Sequence, residues 1–162
     1  MTYRLDIEED FDRTPVVDGF GWETIRFQLG EDFDLDIVVY MTVVFACKEK
    51  GIYDLRFGTE EMRLSREEMS LGVDYSIERS KSYVPKEYRP KVLGLLLEAI
   101  KSILKNAQPK KVTMQSFYHN LPEKAMVKYD KIAALMNENG YETDEDFVGT
   151  TGRRYWLFKL PG

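Results

Sequence analysis

The apolar residues of this chain change their spacing at about Tyr88. Before that point they alternate with polar residues, as they do over residues 22–29, and this two-residue period is typical of a half-buried strand. After it they recur every three to four residues over residues 90–106, which is the pattern of a helix with one buried face. This change of period predicts a sheet whose first strands follow one another along the chain and whose later strands are separated by helices.

The order of the predicted elements indicates one α+β domain. Residues 37–48 are apolar at nearly every position and rich in valine, so we expect a central strand there. The other predicted elements are strands at 22–29, 53–57, 73–84 and 111–117, a helical turn within 65–72, helices at 90–106 and 122–139, and a hairpin over 147–160. We therefore predict a mixed, mostly antiparallel sheet of about six or seven strands flanked by helices. The length of 162 residues suits a single domain.

Charge is distributed unevenly along the chain. The net charge is −5, and residues 1–36 hold 11 acidic against 3 basic side chains. Residues 81–131 reverse this balance, with 11 basic against 4 acidic side chains, and favour an anionic ligand or surface there. The alternative interpretation is that these lysines are solvated on helix faces. We expect no nucleic-acid partner, because no recognisable nucleic-acid-binding motif is present and the net charge is negative.

The rarer residue types exclude several classes of protein. Cys47 has no second cysteine to pair with and lies in an apolar run, so we interpret it as a core residue. The single histidine, His119, leaves a structural zinc site without enough ligands. The apolar run at 37–47 is too short and too β-branched to span a bilayer as a helix, and residues 1–12 do not resemble a signal peptide. These features predict a soluble cytoplasmic protein with no metal site and no membrane partner.

Residues 83–94 contain the clearest candidate for a binding site. An extended segment leads through Arg89 into the helix that carries Gly94, and such a junction presents backbone N–H groups to a phosphate. Lys91 adds positive charge. Two residues oppose this function, because Pro90 lacks an N–H group and the β-branched Val92 would obstruct a close approach to the backbone.

Part of the sequence resembles the GNAT superfamily of acetyl-CoA-dependent N-acetyltransferases. Residues 84–100 are similar to the family's acyl-CoA motif, in which Arg or Gln is followed by x-x-Gly-x-Gly or Ala, with Arg89 and Gly94 at matching positions. Further similarity lies in the strand and helix that follow, at residues 110–114, Asn120, Ala125, Tyr129 and Gly140. The resemblance covers residues 73–160 and implies a single GNAT-like domain, to which residues 1–72 contribute N-terminal strands and an acidic segment.

The resemblance implies roles for particular residues. Acetyl-CoA or another acyl-CoA would bind at the start of the helix, over Arg89, Lys91, Val92, Leu93 and Gly94. Tyr129 corresponds to the residue that protonates the departing thiolate, and Glu78 lies where the family often keeps a carboxylate that acts as a base. Both residues also have simpler interpretations. Tyr129 would then be an inward aromatic residue of a helix, and Glu78 an exposed strand residue.

Two functions follow from this resemblance. The first is an N-acyltransferase that moves an acyl group from acyl-CoA to an amine of a small molecule or protein. The second is a non-catalytic GNAT-like module that binds a protein partner, which Pro90 and Val92 favour. The acidic N-terminal segment offers aromatic side chains that could contact a basic partner or cover the sheet, namely Phe11, Phe20, Trp22 and Phe33.

Overall fold

The structure is a computed structural model that describes residues 3–63, 69–74, 83–116 and 123–162. The strands in these ranges are β1 (Tyr3–Leu5), β2 (Val16–Val17), β3 (Glu23–Asp32), β4 (Ile37–Glu49), β5 (Ile52–Arg63), β6 (Met69–Asp74), β7 (Lys111–Gln115), β8 (Glu142–Val148) and β9 (Arg154–Lys159). The helices are α1 (Arg89–Ala107) and α2 (Glu123–Glu138), and a short 3₁₀ helix, Lys86–Tyr88, leads directly into α1.

All nine of these strands join in one sheet. Its main path runs β1-β3-β4-β5-β7-β9-β8, while β2 pairs with β3 and β6 pairs with β5. The pairing of β5 with β7 is parallel, and the other pairings are antiparallel. A parallel pair needs a crossover connection, and α1 lies in the segment that leads from β6 to β7.

Both helices pack against the same face of the sheet. Near the end of α1, Asn106 Nδ2 donates a hydrogen bond to Glu23 Oε1 of β3 at 2.7 Å. An aromatic side chain of α2 lies against Phe57 of β5 at a ring-centroid distance of 5.6 Å. The strand registers pair Ile25 with Val43 and Val43 with Phe57. Because side chains alternate along a strand, Glu23 lies on the same face as Ile25, and therefore on the same face as Phe57.

The predicted fold class is therefore wrong. The sequence indicated a sheet of about six or seven strands flanked by helices, whereas the structure is dominated by a nine-stranded, mostly antiparallel sheet. No helix in the described ranges packs on the opposite face, which carries Thr24, Arg26 and Gln28 of β3 and is called the open face below. Thr42, Val44 and Glu60 at the centre of this face are nevertheless buried. The error has a physical source, because β1 and β2 are too short to show a periodic pattern. In addition, β6 begins at Met69, within the segment 65–72 where a helical turn was predicted.

The hydrophobic core lies between the helices and the face that they cover. Fully buried apolar side chains come from six elements and include Phe27, Phe45, Ile100, Val112, Ile132 and Phe158. Phe11, from the acidic N-terminal segment, joins this core by stacking on Phe27 at a centroid distance of 5.0 Å. Burial of each such side chain contributes about 1.5–3 kcal/mol. The core therefore fixes both helices, and the start of the chain, on one face of the sheet.

The helix boundaries agree closely with those predicted. α1 ends at Ala107, because Gln108 takes the left-handed conformation at φ 48° and Pro109 follows. α2 ends shortly before Gly140, whose φ is 91°. Asn120, one of the positions of the resemblance, and residues 75–82 of the strand predicted at 73–84 lie outside the described residues. In the described part of the chain, no helix is long and apolar enough to cross a membrane.

Candidate functional site

The sheet opens between β5 and β7. These strands pair only over residues 52–54 and 111–113. On the same side of β5, the next pairing is with β6 and reaches no closer than Thr59. Among the described residues, 55–58 of β5 therefore pair with β4 on one edge and with no strand on the other. A cleft of about 210 Å³ lies at this opening.

Residues from both faces of the sheet line the cleft. Its lining comes from β5, the end of β7, α2 and the residue before β9, and consists of Asp54, Leu55, Arg56, Phe57, Gln115, Ser116, Tyr129 and Arg153. Since side chains alternate, Asp54 and Arg56 lie on the open face, whereas Leu55 and Phe57 lie on the face that the helices cover. An elongated ligand in this cleft would contact residues of both faces.

Tyr129 is the predicted catalytic residue that lies in this cleft. Its ring stacks on Trp156 at a centroid distance of 5.3 Å and an interplanar angle of 11°, and it meets the Phe57 ring at 49°. The residue is 4% exposed. Lys128 Nζ lies 5.5 Å from the centre of the same ring. Packing on two sides holds the ring in one orientation, and phenylalanine at this position would retain these contacts.

A pair of charged side chains lines the open-face end of the cleft. Arg56 Nε donates a hydrogen bond to Asp54 Oδ2 at 2.9 Å, and Thr113 Oγ1 donates to Asp54 Oδ1 at 2.8 Å. The Asp54 carboxylate therefore ties β5 to β7 at the last residue pair before the strands separate. The Arg56 guanidinium also lies 5.4 Å from the centre of the Trp22 ring, which is within cation–π distance. Both contacts restrict where the guanidinium can lie.

The opposite wall of the cleft is formed at the end of β7. Ser116 N donates a hydrogen bond to Arg154 O at 2.9 Å, and Arg154 N donates to Ser116 Oγ at 3.0 Å. These bonds extend the β7–β9 pairing beyond Gln115 and fix the neighbouring Arg153 beside the cleft. The Arg154 guanidinium is engaged elsewhere, because it donates two hydrogen bonds of 2.7 Å to the Asp146 carboxylate. That pairing raises the pKa of Arg154 above its usual value.

The start of α1 exposes fewer backbone amides than the sequence suggested. Tyr88 N donates to Pro85 O at 3.0 Å, and Arg89 N donates to Lys86 O, so both amides are used by the preceding 3₁₀ helix. Pro90 has no N–H group. The chain is therefore already helical where it enters α1, and these three residues leave no amide for a phosphate.

The basic side chains at this end of α1 have partners within the protein. Arg89 Nε donates a hydrogen bond to Val84 O at 3.2 Å. Lys91 Nζ lies 2.5 Å from Glu9 Oε1, and the two side chains are 45% and 57% exposed. An exposed pair of this kind contributes about 1 kcal/mol or less, so another anion could replace Glu9 at little cost.

The next three residues of α1 differ in their surroundings. Val92 is 6% exposed and packs in the core, so its side chain is not the obstruction to the exposed backbone that the sequence suggested. Leu93 is half buried and packs against the same core. Gly94 is exposed, and a Cβ atom added there would meet nothing within 4 Å. Glycine inside a helix costs about 1 kcal/mol relative to alanine, and the packing around Gly94 gives no reason for it.

The acidic N-terminal segment contacts α1 as well as the core. Phe11 is 3% exposed, whereas Phe20 and Phe33 are 83% and 64% exposed in the turns that flank β3. Arg13 Nη2 donates a hydrogen bond to Glu98 Oε2 of α1 at 2.8 Å. One of the predicted docking aromatics is therefore part of the fold, and two remain at the surface.

The described lining of the cleft includes none of the other residues that the sequence singled out. Glu78, the predicted base, and His119 lie outside the described residues. Cys47 is half buried rather than fully buried, and its Sγ lies 3.5 Å from Glu49 O. Within the described ranges, no group of three or more His, Cys, Asp or Glu is placed to hold a metal ion.

Sequence reasoning missed the charged residues of the cleft, Asp54, Arg56 and Arg153. The available signal was weak, since Asp54 and Arg56 are the polar half of an alternating strand and look like ordinary solvated residues. Their meeting with Thr113 depends on a strand pairing between distant parts of the chain.

No known protein-family model matches the sequence, and no curated protein matches it.

Proposed function

We propose that this protein is an N-acyltransferase that binds an acyl-CoA thioester in the cleft between β5 and β7. The observation that carries the proposal is the separation of these strands after residues 52–54 and 111–113, with Tyr129 lining the opening. The pantetheine arm of CoA is narrow and contains amide groups, so it can lie beside residues 55–58 and hydrogen-bond to the edge of β5 with which no described strand pairs. The resemblance of residues 73–160 to acetyltransferases supports acyl-CoA as the ligand.

The proposed reaction is a direct transfer. The lone pair of a neutral amine attacks the thioester carbonyl carbon, the new C–N bond forms, and the C–S bond breaks. The Tyr129 hydroxyl gives its proton to the departing CoA thiolate and later regains a proton from water. The proton lost by the amine nitrogen passes to a base, for which Glu78 is our candidate.

The start of α1 would hold the phosphates of CoA. Lys91 would exchange the Glu9 carboxylate for a phosphate, and Arg89, two residues earlier in the same turn of the helix, adds positive charge. The missing side chain at Gly94 lets a ligand approach the helix backbone, which gives a reason for a glycine that packing does not explain. Val92 and Leu93 would act indirectly, by fixing this turn on the core.

The acceptor in this proposal is an amine of a small molecule or of a protein. We assign the activity to the cytoplasm, because a chain with a single cysteine can form no internal disulfide that an oxidising compartment would favour. The acceptor would reach the cleft beside Arg56, whose side chain is 34% exposed, since Tyr129 and α1 both belong to the other face.

A second candidate function is a non-catalytic module that binds a protein partner. The observation that favours it is the start of α1, where the Arg89 amide is already bonded, Pro90 has none, and Lys91 is paired with Glu9. In this alternative the exposed Phe20 and Phe33 would contact the partner.

Isothermal titration of the purified protein with acetyl-CoA, and separately with CoA, tests the proposal. We expect both to bind, and we expect Gln115→Trp to abolish binding because the indole would fill the cleft. Lys111→Trp is the matched control, since Lys111 is equally exposed on the same face of β7 but does not line the cleft. Absence of binding to the unmodified protein would contradict the acyltransferase and favour the protein-binding module.

A further inference from the structure

The transfer reaction makes no use of one group in the cleft, the guanidinium of Arg56. Its Nε is bonded to Asp54. Its terminal nitrogens, Nη1 and Nη2, have no hydrogen-bond partner among the residues that the structure describes. Two donors that lie side by side on a planar group match the two oxygens of a carboxylate.

The guanidinium is held in place rather than left mobile. Asp54 accepts from Arg56 through one carboxylate oxygen and from Thr113 through the other. The Trp22 ring restricts the guanidinium on a further side, at 5.4 Å. Because the Arg56 side chain is 34% exposed, a ligand in the cleft can reach it. A donor pair that is already oriented loses little entropy when it binds.

The described lining of the cleft offers Arg56 a single carboxylate, that of Asp54. The Asp54 carboxylate already accepts a hydrogen bond on each of its oxygens, and its bond to Arg56 uses Nε rather than the terminal nitrogens. A carboxylate on the ligand would supply acceptors for Nη1 and Nη2.

The position of Arg56 indicates which substrate carries this anion. Tyr129 packs on Phe57 and Trp156, on the face that the helices cover, and α1 lies on that same face. Arg56 lies on the opposite, open face. The acyl carrier occupies the first side in our proposal, which leaves the Arg56 side for the amine.

We infer that the acyl acceptor is an amine that also bears a carboxylate, as an amino acid does, and that Arg56 binds this carboxylate at the open-face end of the cleft. The inference rests on the proposed function. It makes Arg56 a residue that determines acceptor specificity, and Asp54 a positioning residue that acts through Arg56.

Direct binding of product-like probes tests the inference without CoA. Isothermal titration would compare N-acetylglycine with its uncharged counterpart N-acetylglycinamide, and we expect the carboxylate to bind at least about tenfold more tightly. A third probe, N-methylsuccinamate, has its carboxylate on the acyl side of the amide. If it binds more tightly than N-acetylglycine, the anion belongs to the acyl group and the assignment to the acceptor is overturned.

Variants of Arg56 test whether this residue causes the preference for the carboxylate over the uncharged probe. Arg56→Gln should remove it, and Arg56→Lys should weaken it because an ammonium group cannot form the paired bonds. Arg63→Gln is the control, since it removes the same charge from the exposed end of β5 outside the cleft. Equal binding of the charged and uncharged probes by the unmodified protein, or an unchanged preference in both folded Arg56 variants, would overturn the inference. Failure of acetyl-CoA to bind would contradict the proposed function separately, because none of these probes contains CoA.

Discussion

The two edges of strand β5 differ in how completely they are paired. β4 pairs with β5 from the Ile37–Arg63 pair to the Glu49–Ile52 pair, along the whole strand. β7 pairs with the other edge only over residues 52–54. The difference shows how one strand can be rigid and still available to a ligand, because complete pairing on one edge fixes the position of residues 55–58, whose other edge meets no strand in the described ranges.

The meander of β3, β4 and β5 and the junction of β5 with β7 also differ in the side chains that they carry. The meander of β3, β4 and β5 contributes fully buried residues such as Phe27, Val43 and Phe45 to the core. The junction of β5 with β7 carries polar residues, among them Asp54, Arg56 and Gln115. We therefore expect substitutions in the meander to change stability, and substitutions at the junction to change binding and turnover while the fold persists.

The largest effect should follow from Phe27→Ala in the meander. Phe27 is fully buried and stacks on Phe11, so its loss leaves a cavity and should lower the free energy of unfolding by about 3–5 kcal/mol. Urea denaturation followed by circular dichroism measures the change. Phe20→Ala, at a site that is 83% exposed, is the control and should stay within about 0.5 kcal/mol of the unmodified protein. Similar losses in both variants would break the distinction between the regions.

Tyr129→Phe should act at the junction and lower turnover without unfolding the protein. Loss of one general acid should reduce kcat on the order of 10²-fold, while the stacking on Trp156 is retained. Kinetics run beside thermal melts measure both quantities. Tyr155→Phe, which removes a hydroxyl from the ring that stacks on Phe147, should leave kcat unchanged. Unaltered kcat per folded Tyr129→Phe molecule would refute the catalytic role.

Gly94→Ala should separate stability from binding at the start of α1. The new methyl group meets nothing within 4 Å and removes a helical glycine, so the free energy of unfolding should rise by about 1 kcal/mol. Acetyl-CoA affinity should fall several-fold, because the methyl group occupies the face that we assign to the ligand. Gly140→Ala is the contrast, since its φ of 91° makes alanine strained and should lower stability. If the more stable Gly94→Ala protein binds acetyl-CoA with unchanged affinity, acetyl-CoA does not contact the face of α1 that carries Gly94.

The smallest effect should come from Glu9→Gln. Its ion pair with Lys91 is about half exposed, so stability should fall by about 0.5 kcal/mol or less, and less again in high salt. Acetyl-CoA affinity should rise slightly at low salt, since Lys91 becomes available to a phosphate. Titrations at two salt concentrations detect the change, and weaker binding by Glu9→Gln would show that Glu9 does not compete with the ligand.

Local patterns in the sequence predicted the helices and the central hairpin. Pro90 and Pro109 bracket the periodic segment that becomes α1, and the Lys50–Gly51 turn separates two strand-like runs that become β4 and β5. The short strands β1 and β2 could not be predicted, because three and two residues do not establish a period. The fold class was wrong for this reason and because the sequence does not show which face of a sheet a helix covers.

The candidate site was only partly accessible from the sequence. Tyr129 was identified through a resemblance, and the structure places it in the cleft. The cleft itself depends on where the pairing of β5 with β7 stops, after Asp54 and Thr113. That register is set by packing between residues far apart in the chain, and no local pattern encodes it. Arg56 acquires its significance only from this geometry.

Mapping of acetyl-CoA on the backbone amides by NMR tests the central claim most directly. The claim is that the ligand lies along residues 55–58 of β5, between the segments of that edge that pair with β7 and with β6. We predict that addition of acetyl-CoA shifts the amide resonances of residues 55–58 and of Gln115 and Ser116 more than those of the β3–β4 pairing. Shifts confined to other parts of the molecule, or no shifts at saturating acetyl-CoA, would contradict the account.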